Sequence, residues 1–279
     1  MSLSGKARLA GVAGWPVSHS RSPALHGHWL RRYRIDGAYV PLPVAPENFE
    51  RALRALPLLG FRGCNVTVPH KEAALRLVDR ASEEARRIGA VNTIVVEADG
   101  TLTGSNTDGY GFLENLTGAA PSWRADRGPA VMIGAGGAAR AVLVALLDAG
   151  APEVRVTNRS REKAEALADA FGDRVAVVDW SEREAALGQA ALVVNTTSLG
   201  MTGQPPLELR LDDLPGDALV TDIVYAPLET ALLAEARRRG NPVVDGLGML
   251  LHQARPGFEA WFGVPPTVDG ALRAAVLSA

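Results

Sequence analysis

Ala130-Val131-Met132-Ile133-Gly134-Ala135-Gly136-Gly137-Ala138-Ala139 reads as a short apolar strand running into a glycine loop that opens a helix. The spacing is G-x-G-x-x-A, with Ala139 in the third small position. Gly134 permits the tight turn, Gly136 lets the backbone approach a pyrophosphate, and Ala139 permits close helix–strand packing. Free N–H groups at the helix start then hold the anion. Glycines also sit in plain βα turns, so the weight comes from context, a strand before the loop and a helix over Arg140–Ala149 after it. The next strand, Val154–Thr157, ends in Asn158-Arg159-Ser160 with Lys163 close behind. An NAD site commonly places an acid there for the ribose 2′-hydroxyl. A guanidinium can instead lie over adenine and grip a 2′-phosphate that a carboxylate would repel. The bland alternative is a solvated charged turn in which Glu162 and Lys163 open a helix. The sequence predicts NADP as the cofactor.

Strand and helix signals alternate on both sides of this loop. Upstream, strands are read at Leu9–Ala13, Tyr39–Val44 and Cys64–Val68, and helices at Asn48–Leu59, Glu72–Val78 and from Ser82 to near Gly89. Ser22-Pro23 offers an N-cap and a proline at the first helical position. Val91–Val96 and Thr101–Thr103 flank Asp99-Gly100, a hairpin signal because both positions tolerate positive φ. Downstream, strands follow at Val175–Val178, Leu192–Asn195, Leu219–Ile223 and Pro242–Val244, with a helix at Glu229–Arg239. Such alternation favours parallel sheets covered on both faces. The fold class is α/β with two domains, an N-terminal α/β substrate domain and a Rossmann-type doubly wound dinucleotide-binding domain. The expected division is 1–108 plus 248–279 for the first, which is discontinuous, and 109–247 for the second. Hinges are expected near Asp108–Gly111 and Gly246–Leu250.

Composition narrows the class. The chain has 279 residues, 47% hydrophobic and 22% charged, and a formal charge of −2. That charge gives no electrostatic footprint for nucleic acid. No apolar run approaches the roughly 18–20 residues of a membrane helix, and no signal peptide is apparent. A single cysteine, Cys64, excludes an internal disulfide, and a reducing cytoplasm is the expected compartment. It reads as a small core residue. His26, His28 and His252 lack the spacing of a metal site, so no metal is expected.

Two further stretches carry chemistry. Gly63-Cys64-Asn65-Val66-Thr67-Val68-Pro69-His70-Lys71 delivers a lysine just past an apolar strand, and Gly104-Ser105-Asn106-Thr107-Asp108-Gly109 supplies a carboxylate in a similar setting. Hydride reduction of a ketone creates negative charge on oxygen. Lys71 can supply a proton or a cation there, with Asp108 holding it in position. A salt bridge between neighbouring loops is the bland reading of the same pair. Ser18 and Ser20, in Gly14-Trp15-Pro16-Val17-Ser18-His19-Ser20-Arg21-Ser22-Pro23, make a neutral carboxylate cradle before a helix start. From that stretch alone, a serine-rich capping loop is the stronger reading.

With Gly89-Ala90-Val91-Asn92-Thr93, Asp222-Ile223-Val224-Tyr225 and Asp245-Gly246-Leu247-Gly248-Met249 added, the chain resembles the shikimate dehydrogenases along nearly its whole length. The resemblance implies NADPH-dependent reduction of 3-dehydroshikimate to shikimate in aromatic amino-acid biosynthesis. It implies Ser18 and Ser20 on the substrate carboxylate, Thr67, Asn92, Tyr225 and Gln253 around the ring, and Lys71 and Asp108 at the reacting end. For the cofactor it implies Gly134, Ala135, Gly136, Gly137 and Ala138, then Asn158, Arg159, Ser160 and Lys163, with Ile223, Gly246 and Glu83. Relatives occur as monomers and homodimers. Two positions depart from the usual wording: Gly27 follows His26 where an amide is common, and Ser105 precedes Asn106 where relatives vary. A quinate/shikimate dehydrogenase of broader specificity and a non-catalytic sensor of shikimate-type ligands remain as alternatives.

Overall fold

The computed structural model describes residues 3–279. The chain forms two compact units, one reaching to Thr107 and resuming at Leu251–Ala279, the other Asp108–Leu250. Three residues at the second crossing and one at the first therefore lie outside the division expected from sequence.

The first unit runs β1 (Arg8–Gly14), α1 (Ser22–Arg32), β2 (Gly37–Pro43), α2 (Phe49–Ala55), β3 (Phe61–Val66), α3 (Lys71–Leu77), β4 (Arg80–Ala81), α4 (Glu83–Ile88), β5 (Thr93–Val96) and β6 (Leu102–Ser105). Its sheet has the order β2-β1-β3-β5-β6-β4. It is mixed: β5 runs antiparallel to both β3 and β6, whereas β1 pairs parallel with β2 and β3. The hairpin turn differs from the sequence reading. Only Gly100 has positive φ (+85°). Asp99 instead accepts the Thr101 N–H through Oδ1 at 2.9 Å, so the loop is one with a single left-handed residue. At the opposite edge, Val44 donates its N–H to Gly14. By the two-residue period of a strand, the imino positions of Pro41 and Pro43 therefore face away from β1, where an edge strand tolerates proline and resists further pairing.

One face of this sheet buries Ala13, Cys64, Val66, Ile94 and Leu102 under Phe49, Leu53 and Leu56. Burial pushes the Cys64 thiol up to about 12, which leaves it an inert core group. An aromatic cluster forms elsewhere in the unit, where His26 is in ring contact with Trp29, Tyr39, Phe258 and Trp261. The indole of Trp261 donates to Ile94 O (3.0 Å) and that of Trp29 to Thr267 O (2.9 Å), anchoring the C-terminal segment to the sheet and to α1.

The second unit contains α5 (Asp108–Ala119), β7 (Ala130–Ile133), α6 (Gly137–Asp148), β8 (Val154–Thr157), α7 (Arg161–Phe171), β9 (Val175–Val178), β10 (Leu192–Asn195), β11 (Leu219–Asp222), α8 (Ala231–Arg239) and β12 (Val243–Val244). Next comes α9 (Leu247–Phe262), within which the chain returns to the first unit, and α10 (Gly270–Leu277) ends the fold. All strands of the second sheet are parallel, in the order β12-β11-β10-β7-β8-β9. Counted from β7 this is 3-2-1-4-5-6, the doubly wound dinucleotide-binding order. Alternate residues of one strand enter two different cores: Ala130 and Met132 pack under α6, while Val131 and Ile133 pack against Leu232, Leu233 and Ala236 of α8. Burial on both faces explains why β7 reads as an unbroken apolar run.

The segments read as hinges coincide with the first turns of α5 and α9. Ser22 also differs from its reading: it is the first residue of α1, and Arg21 occupies the cap without a side-chain bond.

Candidate active site

In the first unit, topology gathers one set of polar residues. The C-terminal ends of β1, β3 and β6 share an edge, and the antiparallel direction of β5 brings its start to that same edge. Asn65 pairs with Thr93, and Thr93 with Ser105. Val66 N donates to Asn92 O at 2.8 Å and Asn92 N to Ser105 O at 3.0 Å, so Asn92 sits level with the ends of both neighbours. Thr67 follows β3 and donates its N–H to Ala13 O at 2.9 Å. Lys71, half-buried, opens α3. His70 fixes the backbone before it: its ring stacks on Phe49 (4.2 Å, 5°) and its Nε2 lies 2.7 Å from Val44 O. Gln253 of α9 joins the group, with Thr107 Oγ1 donating to its carbonyl at 2.8 Å.

Ser18 is exposed and Ser20 half-buried in the loop between β1 and α1. Ser20 Oγ accepts the Ser22 N–H at 3.3 Å. That bond serves the turn and leaves the hydroxyl proton of Ser20 uncommitted to it. Glu83, exposed at the start of α4, belongs to this unit.

In the second unit, Asp108 is the buried first residue of α5. Tyr225 and Ile223 lie in the segment after β11, which a single buried carboxylate organises. Asp222 accepts from Val224 N (2.9 Å), Asn195 Nδ2 (3.0 Å) and Thr230 Oγ1 (2.8 Å). Burial pushes its carboxyl above the usual range in spite of these three donors. Thr230 is also the N-cap of α8. Gly246 lies against the same segment, since a Cβ on it would come within 2.5 Å of the Ile223 carbonyl.

A cleft of about 250 Å³ opens at the point where strand order reverses between β7 and β10. Its walls are Gly134, Ala135 and Gly136 after β7, Asn158, Arg159 and Lys163 after β8, Trp180, and Thr196 to Leu199 after β10. Gly134 has φ +115°, and a Cβ there would meet Thr196 Oγ1 at 2.6 Å, so both conformation and space require glycine. Gly136 caps α6 without a side chain, and space is open where Cβ atoms of Gly136 and Gly137 would stand. Backbone N–H groups at the start of α6 are thereby accessible to an anion. Ala139 is fully buried. Arg159 and Lys163 are exposed and form no ion pair among the described residues, whereas Arg161 beside them is neutralised by Glu165 and Asp179. Among the described residues, no acid lines the cleft. These residues suit a nucleotide bearing an additional phosphate.

Sequence reading did not single out Trp180 or Thr196–Leu199. For Thr196–Leu199 the signal was available, because Asn195-Thr196-Thr197-Ser198 closes and directly follows the strand that flanks the switch point. Asn195 Oδ1 folds this turn by accepting from Thr197 N (3.0 Å) and Thr197 Oγ1 (2.7 Å).

Three family models match the chain: a shikimate dehydrogenase substrate binding domain over residues 12–94, shikimate/quinate 5-dehydrogenase over 122–201, and a shikimate 5′-dehydrogenase C-terminal domain over 246–276. A shikimate dehydrogenase (NADP(+)) of Paramagnetospirillum magneticum is 66% identical over 276 residues, 99% of this chain and 100% of the relative. The chain belongs to the shikimate dehydrogenase family. Among solved structures, the family's Thermus thermophilus shikimate 5-dehydrogenase in complex with NADP(H) and shikimate is 40% identical, with a TM-score of 0.87 over 98% of this chain and 100% of that one. A quinate dehydrogenase of Corynebacterium glutamicum in complex with NAD is also similar, at 35% identity and TM-score 0.91 over 98% of this chain and 99% of that one. Backbone likeness therefore spans shikimate and quinate enzymes alike. Among the described residues, no helix is long and apolar enough to cross a membrane, and no cluster of His, Cys, Asp or Glu is arranged to hold a metal ion.

Proposed function

We infer that the chain catalyses the reversible, NADPH-dependent reduction of 3-dehydroshikimate to shikimate, a step of aromatic amino-acid biosynthesis. The observation that carries this is the match to a shikimate dehydrogenase (NADP(+)) at 66% identity over essentially the whole of both chains. The acid-free cleft with Arg159 and Lys163 supports the cofactor half of the reading. NADPH, when bound, supplies the hydride. Lys71 gives the proton that the substrate oxygen takes up, or stabilises its developing negative charge, and Asp108 orients the ammonium. Ser18 and Ser20 share the substrate carboxylate, and Thr67, Asn92, Tyr225 and Gln253 surround the ring. Gly134 to Ala138 hold the pyrophosphate and Asn158 to Lys163 the adenosine end, and Ile223 and Gly246 complete the cofactor side. Glu83 is the weakest of the cofactor assignments, resting on the resemblance alone. The reaction needs no metal, and the single buried cysteine suits a cytoplasmic setting, as monomer or homodimer.

A broader quinate activity has one observation in its favour, the similarity to the quinate dehydrogenase that holds NAD. The charge of the nucleotide cleft argues the other way. Arg159→Ala tests it. A charge-assisted hydrogen bond is worth about 1.5–3 kcal/mol, or roughly ten- to a hundredfold in affinity. The variant should raise the KM for NADP by that factor and leave activity with NAD nearly unchanged. Equal losses with both cofactors would assign Arg159 to adenine or to folding instead.

A further inference from the structure

Behind Asn92 runs a buried chain of hydrogen bonds whose shortest contacts define one direction of donation. Asn92 Oδ1 is 2.9 Å from Thr107 N. A backbone N–H can only donate, so this atom is the amide oxygen and its partner is Nδ2. Asn65 Nδ2 is 3.2 Å from the carbonyl of Asn92, which can only accept, so that amide is fixed too. Its Oδ1 must therefore accept, and Tyr39 OH donates to it at 2.6 Å. The second proton of Asn65 Nδ2 goes to Thr93 Oγ1 at 3.1 Å, which leaves the Thr93 hydroxyl to donate to Asn92 Oδ1 at 2.9 Å. On the far side, Asn92 Nδ2 donates to Thr107 Oγ1 at 3.1 Å and lies 3.5 Å from Gln253 Oε1, while the Thr107 hydroxyl has the Gln253 carbonyl at 2.8 Å as its shortest acceptor and Asn92 Oδ1 at 3.2 Å as a second. Donation runs one way, from the Tyr39 phenol through Asn65, Thr93 and Asn92 to Thr107. Each of these five residues is at most 7% exposed, and the Tyr39 ring is held by stacking on His26 at 3.8 Å and 5°.

We propose that Thr93, backed by Asn65 and Tyr39, is a positioning residue that locks the Asn92 amide oxygen into the protein, so that Asn92 meets the substrate as a donor through Nδ2. This rests on the reading of Asn92 as a substrate ligand and adds the side chain that, with the Thr107 N–H, holds its polarity. A substrate oxygen at Asn92 is then an acceptor, and Thr93 governs substrate affinity without touching substrate. In a low-dielectric interior, removing one member of such a chain leaves its neighbours unsatisfied and free to turn.

The test is a set of steady-state measurements on Thr93→Val, Thr93→Ser, Tyr39→Phe and Asn92→Ala, with Thr93→Val also made in the Asn92→Ala background. Thr93→Val keeps the shape and removes the hydroxyl. It should raise the KM for shikimate about tenfold, the loss of roughly one buried hydrogen bond, with kcat and the KM for NADP little changed. Thr93→Ser should restore the wild-type KM. Tyr39→Phe keeps the ring on His26 and should move the same constant in the same direction by a smaller factor; it carries the test if Thr93→Val does not fold. In the Asn92→Ala background, Thr93→Val should add nothing further. Full additivity there, a parallel rise in the KM for NADP, or failure of serine to restore would overturn the proposal while leaving the site reading intact. An Asn92→Ala enzyme with an unchanged KM for shikimate would overturn both.

Discussion

Lys71→Ala should lower kcat by about 10²–10⁴-fold, the usual consequence of deleting a positioned acid–base group, with a smaller change in KM. The loss should be confined to chemistry because the backbone at this point is held independently of the ammonium. His70 is anchored by Phe49 and the Val44 carbonyl, and the Lys71 carbonyl accepts the Val91 N–H at 2.9 Å. Stability should therefore stay within about 0.5 kcal/mol, as for a substitution away from the core. Saturating 3-dehydroshikimate and NADPH separate the two constants. A near-normal kcat with a greatly raised KM would assign Lys71 to binding alone.

His26→Phe should remove much of the acid sensitivity of the first unit. The imidazole is fully buried among Trp29, Tyr39, Phe258 and Trp261. Neither ring nitrogen has a hydrogen-bond partner among the described residues. Burial drives its pKa down from 6.5 to about 3, and the Asn65 amide, outside hydrogen-bonding geometry, offsets only part of that drop. A folded-state value below the unfolded one means that the stability contributed by neutral His26 is complete above about pH 6.5. It is lost progressively as pH falls toward 3, at about 1.4 kcal/mol per pH unit. Between pH 7 and pH 4 the wild type should lose about 3 kcal/mol more than His26→Phe. Phenylalanine keeps the stack on Tyr39 and removes two unsatisfied nitrogens, so its cost at pH 7 should be small. Urea unfolding followed by tryptophan fluorescence, to which Trp29 and Trp261 contribute, measures both. Parallel pH profiles for the two proteins would show that His26 is not the sensitive group.

The dinucleotide half was the more legible of the two. Ala130–Ile133, Val154–Thr157, Val175–Val178 and Leu192–Asn195 are strands with the bounds that apolar runs and flanking turn residues indicate. Burial on both faces makes the runs of β7 and β10 continuous, whereas β8 carries Arg155 and the edge strand β9 is only half-buried. The helices α5, α9 and α10 were not legible. Within α5 stand Gly109, Gly111 and Gly118, and within α9 Gly248, Pro256 and Gly257, all residues that local propensity counts against a helix. Packing overrides propensity there. A Cβ at Gly248 would fall 1.8 Å from Asn115 Oδ1, so that glycine allows a close approach between α9 and α5. In the site, spacing pointed to the glycine loop, Arg159, Lys71 and Asp108, whereas Asn92, Tyr225 and Gln253 entered only through the family resemblance. The chain from Tyr39 to Asn92 is invisible in sequence. It depends on the antiparallel register that sets Asn65 opposite Thr93, and no local pattern encodes that register.

The pairing of shikimate with NADP is tested most directly by kcat/KM for the wild-type protein with shikimate and quinate, each with NADP and NAD. Shikimate with NADP should exceed each of the other three pairs by at least about tenfold, the contribution of a single charge-assisted contact. A protein that turns over quinate with NAD best, or that reduces no cofactor with either acid, would contradict the account.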